Sequence, residues 1–158
     1  MNVFLNETCK DAMNLQDFLD TIQIQLSDLV NMGKLGFVNG ITSIILKNLR
    51  AIDVHLRPIH CADKRRESVY YKDEGKWIKE EDNTTIRRFI QLVANKNTRC
   101  LNLFKDLHPD CNDSRSRYND QYNKIYMEVF GGCGNTDYES ENKIIRKIIN
   151  EISIDKYK

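Results

Sequence analysis

Residues 69–79 constrain the fold most strongly, because they join two strand-like runs through the residues of a tight turn. Val-Tyr-Tyr-Lys precedes Asp73-Glu74-Gly75, and Lys-Trp-Ile-Lys follows it. A three-residue link that ends in glycine is typical of a β-hairpin, since glycine adopts the left-handed backbone conformation at low cost. The sequence therefore predicts a hairpin in which Lys72 faces Lys76, so that two lysines crown its exposed tip.

Most of the remaining chain carries apolar residues at intervals of three and four, which indicates amphipathic helices. Pro58 interrupts this pattern, and residues 54–61 predict a connector with a short strand beside the hairpin. The pattern predicts about six helices, at residues 14–32, 37–52, 83–95, 98–107, 116–130 and 136–152.

The predicted fold class is mainly α (α+β), a single helical domain of residues 1–158 with a small β-hairpin. A projecting basic hairpin among helices is the layout of a winged-helix fold. We predict a winged-helix-like part at residues 14–107 and a C-terminal helical pair at residues 116–158.

Size and composition exclude several classes of protein. At 158 residues, the chain can bury a core without metals or disulfides. Its 41% hydrophobic content excludes a disordered chain, and it has no run of about eighteen apolar residues that would span a membrane. Five scattered cysteines without CxxC pairs indicate reduced thiols. Without a signal peptide, we expect an intracellular protein with no membrane partner.

The charge is distributed unevenly along the chain, although the net charge is only +1. Residues 34–105 hold fifteen basic and eight acidic residues, whereas both flanking segments are acidic. Such segregation favours a partner that bears phosphate groups. The cations predicted to contact phosphates are those of the hairpin and the segment before it: Lys64, Arg65, Arg66, Lys72 and Lys76.

The predicted helix at 37–52 presents a polar and basic face opposite its apolar stripe. That face carries Asn39, Ser43, Lys47 and Arg50. Small polar and basic side chains on an exposed helix can enter a major groove and contact base edges. The leading hypothesis is a non-enzymatic nucleic-acid-binding regulatory module, with DNA favoured over RNA as the ligand. The alternative interpretation is that the helix at 37–52 is an ordinary amphipathic helix and that the hairpin is an ordinary surface hairpin. Their polar and basic side chains would then contact only water.

A second hypothesis is a helical adaptor that binds host or viral proteins or forms a homodimer. Its contact would come from Leu46, Trp77 or the tyrosine stripe of the helix at 116–130. Tyrosines on a helical stripe also commonly belong to the core.

A third hypothesis is a metal-dependent nuclease, because Asp63 followed by Glu74-Gly75-Lys76 imitates an acid, acid-x-Lys pattern that holds a divalent metal. Gly75 opposes this hypothesis, since it places the second acid and the lysine in a turn. The motif His108-Pro-Asp-Cys111 lacks the second ligand pair of a structural zinc site. We therefore predict no metal, no cofactor and no catalytic residue.

Three strings resemble an uncharacterised module of giant DNA virus proteins: RPIHCADKRRESVYYKDEGKW at 57–77, PDCNDSRSRYNDQYNKIYMEVFGG at 109–132 and IIRKIINEISIDK at 144–156. The resemblance covers most of the chain from about Leu15. The module often follows a zinc-finger-like segment, whereas this sequence has no paired-cysteine finger before it. The resemblance implies a viral origin, expression in the infected-cell cytoplasm or viral factory, and a role in handling nucleic acid or regulating infection. No binding residue is carried over from it.

Overall fold

The computed structural model describes residues 3–132 and 134–157, which form a helical fold with one small sheet. Within these residues the seven helices are α1 (Leu15–Thr21), α2 (Leu26–Leu35), α3 (Phe37–Arg50), α4 (Thr84–Arg99), α5 (Leu101–Leu107), α6 (Asn119–Val129) and α7 (Asp137–Ile152). The strands are β1 (Ile59–Asp63), β2 (Ser68–Asp73) and β3 (Lys76–Lys79), antiparallel in the order β1-β2-β3. The mainly helical α+β class is confirmed, and so is the short strand beside the hairpin. A winged-helix arrangement is not confirmed.

The helix predicted at 14–32 is two helices, although its apolar periodicity is continuous. The backbone of Ile22 is extended and ends α1. The ammonium group of Lys96 on α4 donates hydrogen bonds to the carbonyl oxygens of Leu19, at 2.6 Å, and Ile22, at 3.0 Å. These contacts give additional hydrogen bonds to carbonyl groups at the end of α1, where the helix supplies few N–H donors. A distant lysine therefore supports a break that the local pattern does not reveal.

Helix α2 packs between α3 and α6, and two glycines allow this close packing. A Cβ atom at Gly40 on α3 would overlap the side chain of Met32, and one at Gly33 on α2 would lie 3.0 Å from Ile125 on α6. Helix α7 packs against α3 and β1. The two helices that the sequence groups as a C-terminal pair thus pack on different partners.

The hairpin forms, but the predicted pairing across its turn is wrong by one residue. Lys72 lies opposite Trp77, and Asp73 lies opposite Lys76. The loop therefore has two residues, Glu74 and Gly75, both with positive φ angles, of 47° and 77°. Two positive φ angles are the signature of a type I′ turn, whose twist matches that of the strands.

The two faces of the sheet have different neighbours. Ile59, Cys61 and Val69 are part of the buried hydrophobic core. On the opposite face the ring of Phe4 lies edge-on to His60, with ring centroids 5.3 Å apart, and the indole of Trp77 donates a hydrogen bond to a carbonyl of the N-terminal segment. The sheet is consequently packed between the helices and residues 4–13, which differs from a hairpin that projects into solvent.

Candidate nucleic-acid interface

The tip of the hairpin does not carry two solvent-exposed lysines. Lys76 is exposed, but Lys72 is only 5% exposed, and its Nζ donates a hydrogen bond of 2.6 Å to the carbonyl oxygen of Lys10. The prediction that Lys72 crowns the exposed tip is therefore wrong. The physical reason is the register, because pairing with Trp77 turns Lys72 toward the N-terminal segment.

The predicted basic cluster lies on the turn between β1 and β2. Lys64, Arg65 and Arg66 are all exposed there, and the Arg66 Nε lies 3.7 Å from a carboxylate oxygen of Asp63. Lys76 begins β3 opposite Asp73, at the other end of β2, which is roughly 17 Å from the β1–β2 turn at the usual rise per strand residue. The structure therefore separates the two groups of cations that the sequence places on one hairpin surface.

The predicted outward face of α3 is exposed, but two of its cations have acidic partners. Lys47 Nζ lies 2.6 Å from an Asp28 carboxylate oxygen on α2. Arg50 donates two hydrogen bonds, of 2.9 and 3.1 Å, to Glu151 on α7, which raises the pKa of its guanidinium above the ordinary value. Helices α2 and α7 both pack against α3, so the acidic partners of Lys47 and Arg50 come from its two neighbouring helices.

Helix α7 contributes exposed cations that the sequence analysis missed. Its isoleucines are buried, whereas Lys143, Arg146 and Lys147 are exposed on the other side. These cations could have been found from their position opposite the isoleucine stripe. They escaped notice because the C-terminal third of the chain is acidic as a whole.

The exposed cations of α7 lie beside the polar face of α3. Lys143, Lys147 and Glu151 follow one another at intervals of four, so they form one row along the helix. Glu151 ends this row and binds Arg50, which ends the α3 row that includes Asn39 and Ser43. The two rows therefore meet at Arg50 and Glu151, on helices that pack against each other. We name this surface the α3–α7 face; it comprises Asn39, Ser43, Lys47, Arg50, Lys143, Arg146, Lys147 and Asn150.

The α3–α7 face presents mainly positive charge to solvent. Lys47 and Arg50 remain exposed, whereas their partners Asp28 and Glu151 are buried and half-buried. The carboxylates of Asp28 and Glu151 each bind one side of a cation, and the other N–H groups of Lys47 and Arg50 remain at the surface. Such a surface can donate hydrogen bonds to phosphate oxygens.

Comparison with protein-family models, curated proteins and solved structures found no match.

The nuclease pattern is not assembled. Asp63 ends β1 opposite Ser68, whereas Glu74 lies in the turn at the far end of β2. Among residues 3–132 and 134–157 there is no cluster of three or more histidines, cysteines or acidic residues that could hold a metal ion. The two acids are therefore too far apart to share a metal ion through these side chains.

A buried cysteine and histidine lie together beneath the N-terminal segment. Cys9 Sγ is 3.6 Å from His60 Nε2. Burial raises the pKa of the Cys9 thiol to about 11, while the nearby Lys72 ammonium acts in the opposite direction. Burial also lowers the pKa of His60 to about 4, and the Arg57 guanidinium adds to this effect. Both groups are consequently neutral near pH 7, which does not suit a thiolate nucleophile.

The cysteines and the helices bear on two further expectations. Cys9, Cys61, Cys100 and Cys111 are free thiols, and Cys133 lies outside the described residues. In the described ranges, no helix combines the length and apolar character needed to cross a bilayer.

Proposed function

We propose that this chain is a non-enzymatic module that binds the phosphate backbone of duplex DNA on the α3–α7 face. The observation that carries the proposal is the row of Lys143 and Lys147 beside the exposed end of Arg50. Cations that replace the counterions of DNA gain affinity through counterion release. Asn39 and Ser43 offer hydrogen bonds to the backbone or to base edges. The resemblance to the viral module would locate this activity in the cytoplasm or viral factory of an infected cell.

The winged-helix form of the proposal uses different residues. In that form the exposed cations of the β1–β2 turn, Lys64 and Arg65, hold the backbone together with Lys76. The α3–α7 face has stronger support, because its cations lie on two packed helices that the Arg50–Glu151 ion pair joins.

Reversing two charges on α7 tests the proposal. We expect the double variant Lys143→Glu, Lys147→Glu to bind a random-sequence duplex at least about tenfold more weakly at about 50 mM salt. The slope of log affinity against log salt should decrease by about 2, because two phosphate contacts are lost. Both side chains are exposed, so the free energy of unfolding should change by less than about 0.5 kcal/mol. Fluorescence anisotropy over a salt series measures the affinity, and urea denaturation measures the stability.

The matched control is Lys64→Glu, Arg65→Glu, which makes the same change of charge on the β1–β2 turn. It should retain most of the affinity. Loss of binding in the control alone would assign the contact to the hairpin. A wild-type chain that shows no salt-dependent binding to duplex DNA would reject the proposed function, and binding only to RNA would reject DNA as its ligand.

Removal of the carboxylate beside Arg50 should have the opposite effect. In Glu151→Gln the guanidinium loses its acidic partner and gains freedom to contact phosphate, so we expect affinity for duplex DNA to rise about threefold at low salt. The exposed side of the ion pair limits the cost in stability to about 1 kcal/mol. Asp110→Asn is the control, since it removes an exposed carboxylate in the loop after α5. An equal gain in both variants would mean that only net charge matters.

Protein binding is the second candidate function, and an exposed aromatic pair on the C-terminal side of α6 favours it. Tyr126 and Phe130 are 50% and 58% exposed, and their ring centroids are 4.9 Å apart. Tyr122 is buried, and Leu46 and Trp77 are half-buried, so the pair is the more accessible part of the predicted contact. Exposed aromatic pairs are typical of protein interfaces. Sedimentation of the wild type and of Tyr126→Ser, Phe130→Ser tests this candidate; a monomer at roughly 100 μM would exclude a homodimer of useful affinity.

A further inference from the structure

A cavity of about 290 Å³ lies between the N-terminal segment and the tip of the hairpin. Its walls include Asn6, Lys10, Lys72, Lys76 and the indole of Trp77. No carboxylate is present among the described residues that line it. Three lysines from two segments far apart in the sequence therefore line one small space.

The buried member of this group has an uncompensated charge. Lys72 is only 5% exposed, and its Nζ donates to the carbonyl oxygen of Lys10. That bond uses one of the three N–H donors of the ammonium group. No acidic side chain in the described ranges forms an ion pair with Lys72. A buried cation is costly unless an anion compensates it. An anionic ligand in this cavity would compensate the charge of Lys72.

The other walls add donors and a flat apolar surface. Lys10 and Lys76 both line the cavity and are exposed, so their ammonium groups can turn toward a ligand. The side-chain amide of Asn6 supplies a further polar group. The indole nitrogen of Trp77 donates a hydrogen bond of 3.3 Å to the carbonyl oxygen of Cys9, which orients the ring. The cavity thus combines three cations with an oriented aromatic wall.

We propose that this cavity binds a phosphate monoester, and that a mononucleotide uses it most fully. A phosphate monoester carries nearly two negative charges and three strong acceptor oxygens, which match three ammonium donors. A nucleobase joined to it can stack on the Trp77 ring. The site shares no residue with the α3–α7 face and takes a small ligand, so it is independent of duplex binding.

Trp77 is the single tryptophan of the chain, so its fluorescence reports directly on this site. We expect adenosine monophosphate to change the emission saturably, and Lys10→Gln and Lys76→Gln each to raise its Kd about tenfold, because each removes one charge-assisted hydrogen bond. Lys124→Gln makes the same chemical change at an exposed position of α6, outside the lining of this cavity, and should leave the Kd unaltered. Thermal stabilisation by the nucleotide, measured in parallel, detects a bound ligand that leaves the indole emission unchanged.

Three further ligands separate the contributions of phosphate and base. Ribose 5-phosphate should bind more weakly than adenosine monophosphate, inorganic phosphate more weakly still, and adenosine alone should not bind. Equal affinity of adenosine and its monophosphate would overturn the phosphate site, and equal affinity of ribose 5-phosphate and the nucleotide would overturn the stacking on Trp77. Absence of any saturable change and of any thermal shift up to roughly 10 mM would overturn the whole proposal. Duplex binding through Lys143 and Lys147 can persist in that case, so the two proposals fail separately.

Discussion

Lys72→Glu is expected to lower the free energy of unfolding by about 4 kcal/mol, the largest effect of any single substitution proposed for this chain. The variant loses the hydrogen bond from Nζ to the Lys10 carbonyl oxygen and buries a carboxylate beside that oxygen. Residues 4–13 would then separate more easily from the sheet. Urea denaturation followed by circular dichroism measures the change.

Two matched variants separate the causes of this loss. Lys76→Glu makes the same change of charge four residues away on an exposed side chain, so its free energy of unfolding should change by less than about 0.5 kcal/mol. Lys72→Met keeps an unbranched apolar side chain and removes the buried charge, so its cost should be well below that of Lys72→Glu. If Lys72→Glu were as stable as Lys76→Glu, the contact of β2 with the N-terminal segment would be contradicted.

Acidification from pH 6.5 to about 4 is expected to destabilise the protein by about 3 kcal/mol through His60 alone. Burial lowers the pKa of His60 in the folded state from 6.5 to about 4. Between these two pH values the unfolded chain binds a proton that the folded chain does not. The stabilisation by neutral His60 is therefore fully present above pH 6.5 and is lost as the pH falls to about 4.

The pH dependence of unfolding in a histidine variant tests this expectation. The free energy of unfolding of His60→Gln should lose the component that falls between pH 6.5 and about 4, whereas His55→Gln, at an exposed position, should retain it. Titration of the imidazole by NMR provides the second measurement. A His60 that titrates near 6.5 in the folded protein would contradict its burial against Phe4, Cys9 and Trp77.

Those helices with strong apolar periodicity and local end signals could be predicted from the sequence. Helix α7 was expected at 136–152 and runs from Asp137 to Ile152. Its start is determined locally, since the Thr136 hydroxyl accepts a hydrogen bond from the Glu139 N–H and the Glu139 carboxylate accepts one from the Thr136 N–H. Neighbours in the chain supply both side-chain hydrogen bonds of this helix start.

The predictions that failed depended on groups far apart in the chain. Asn14 immediately precedes α1, but its side-chain oxygen does not cap the helix and instead accepts a hydrogen bond from the Gly75 N–H in the hairpin turn. Glu74 takes a positive φ angle, which shortens the loop by one residue and moves Lys72 to another partner. Gly75 is compatible with a loop of either two or three residues, so the sequence alone does not choose between them. In the structure, the two-residue loop occurs together with packing of the hairpin against the N-terminal segment.

The sequence by itself determined the mainly helical class, the presence of the hairpin and the polar outward face of α3, because periodicity and turn chemistry act over a few neighbouring residues. Only the tertiary structure decided which cationic side chains form an ion pair with a carboxylate. Arg50 meets Glu151, from a segment 101 residues away, and Lys47 meets Asp28 on the preceding helix. Electrostatic interactions depend on distance in space, so the positive field of this protein follows from the packing of α2, α3 and α7 and not from the order of charges along the chain.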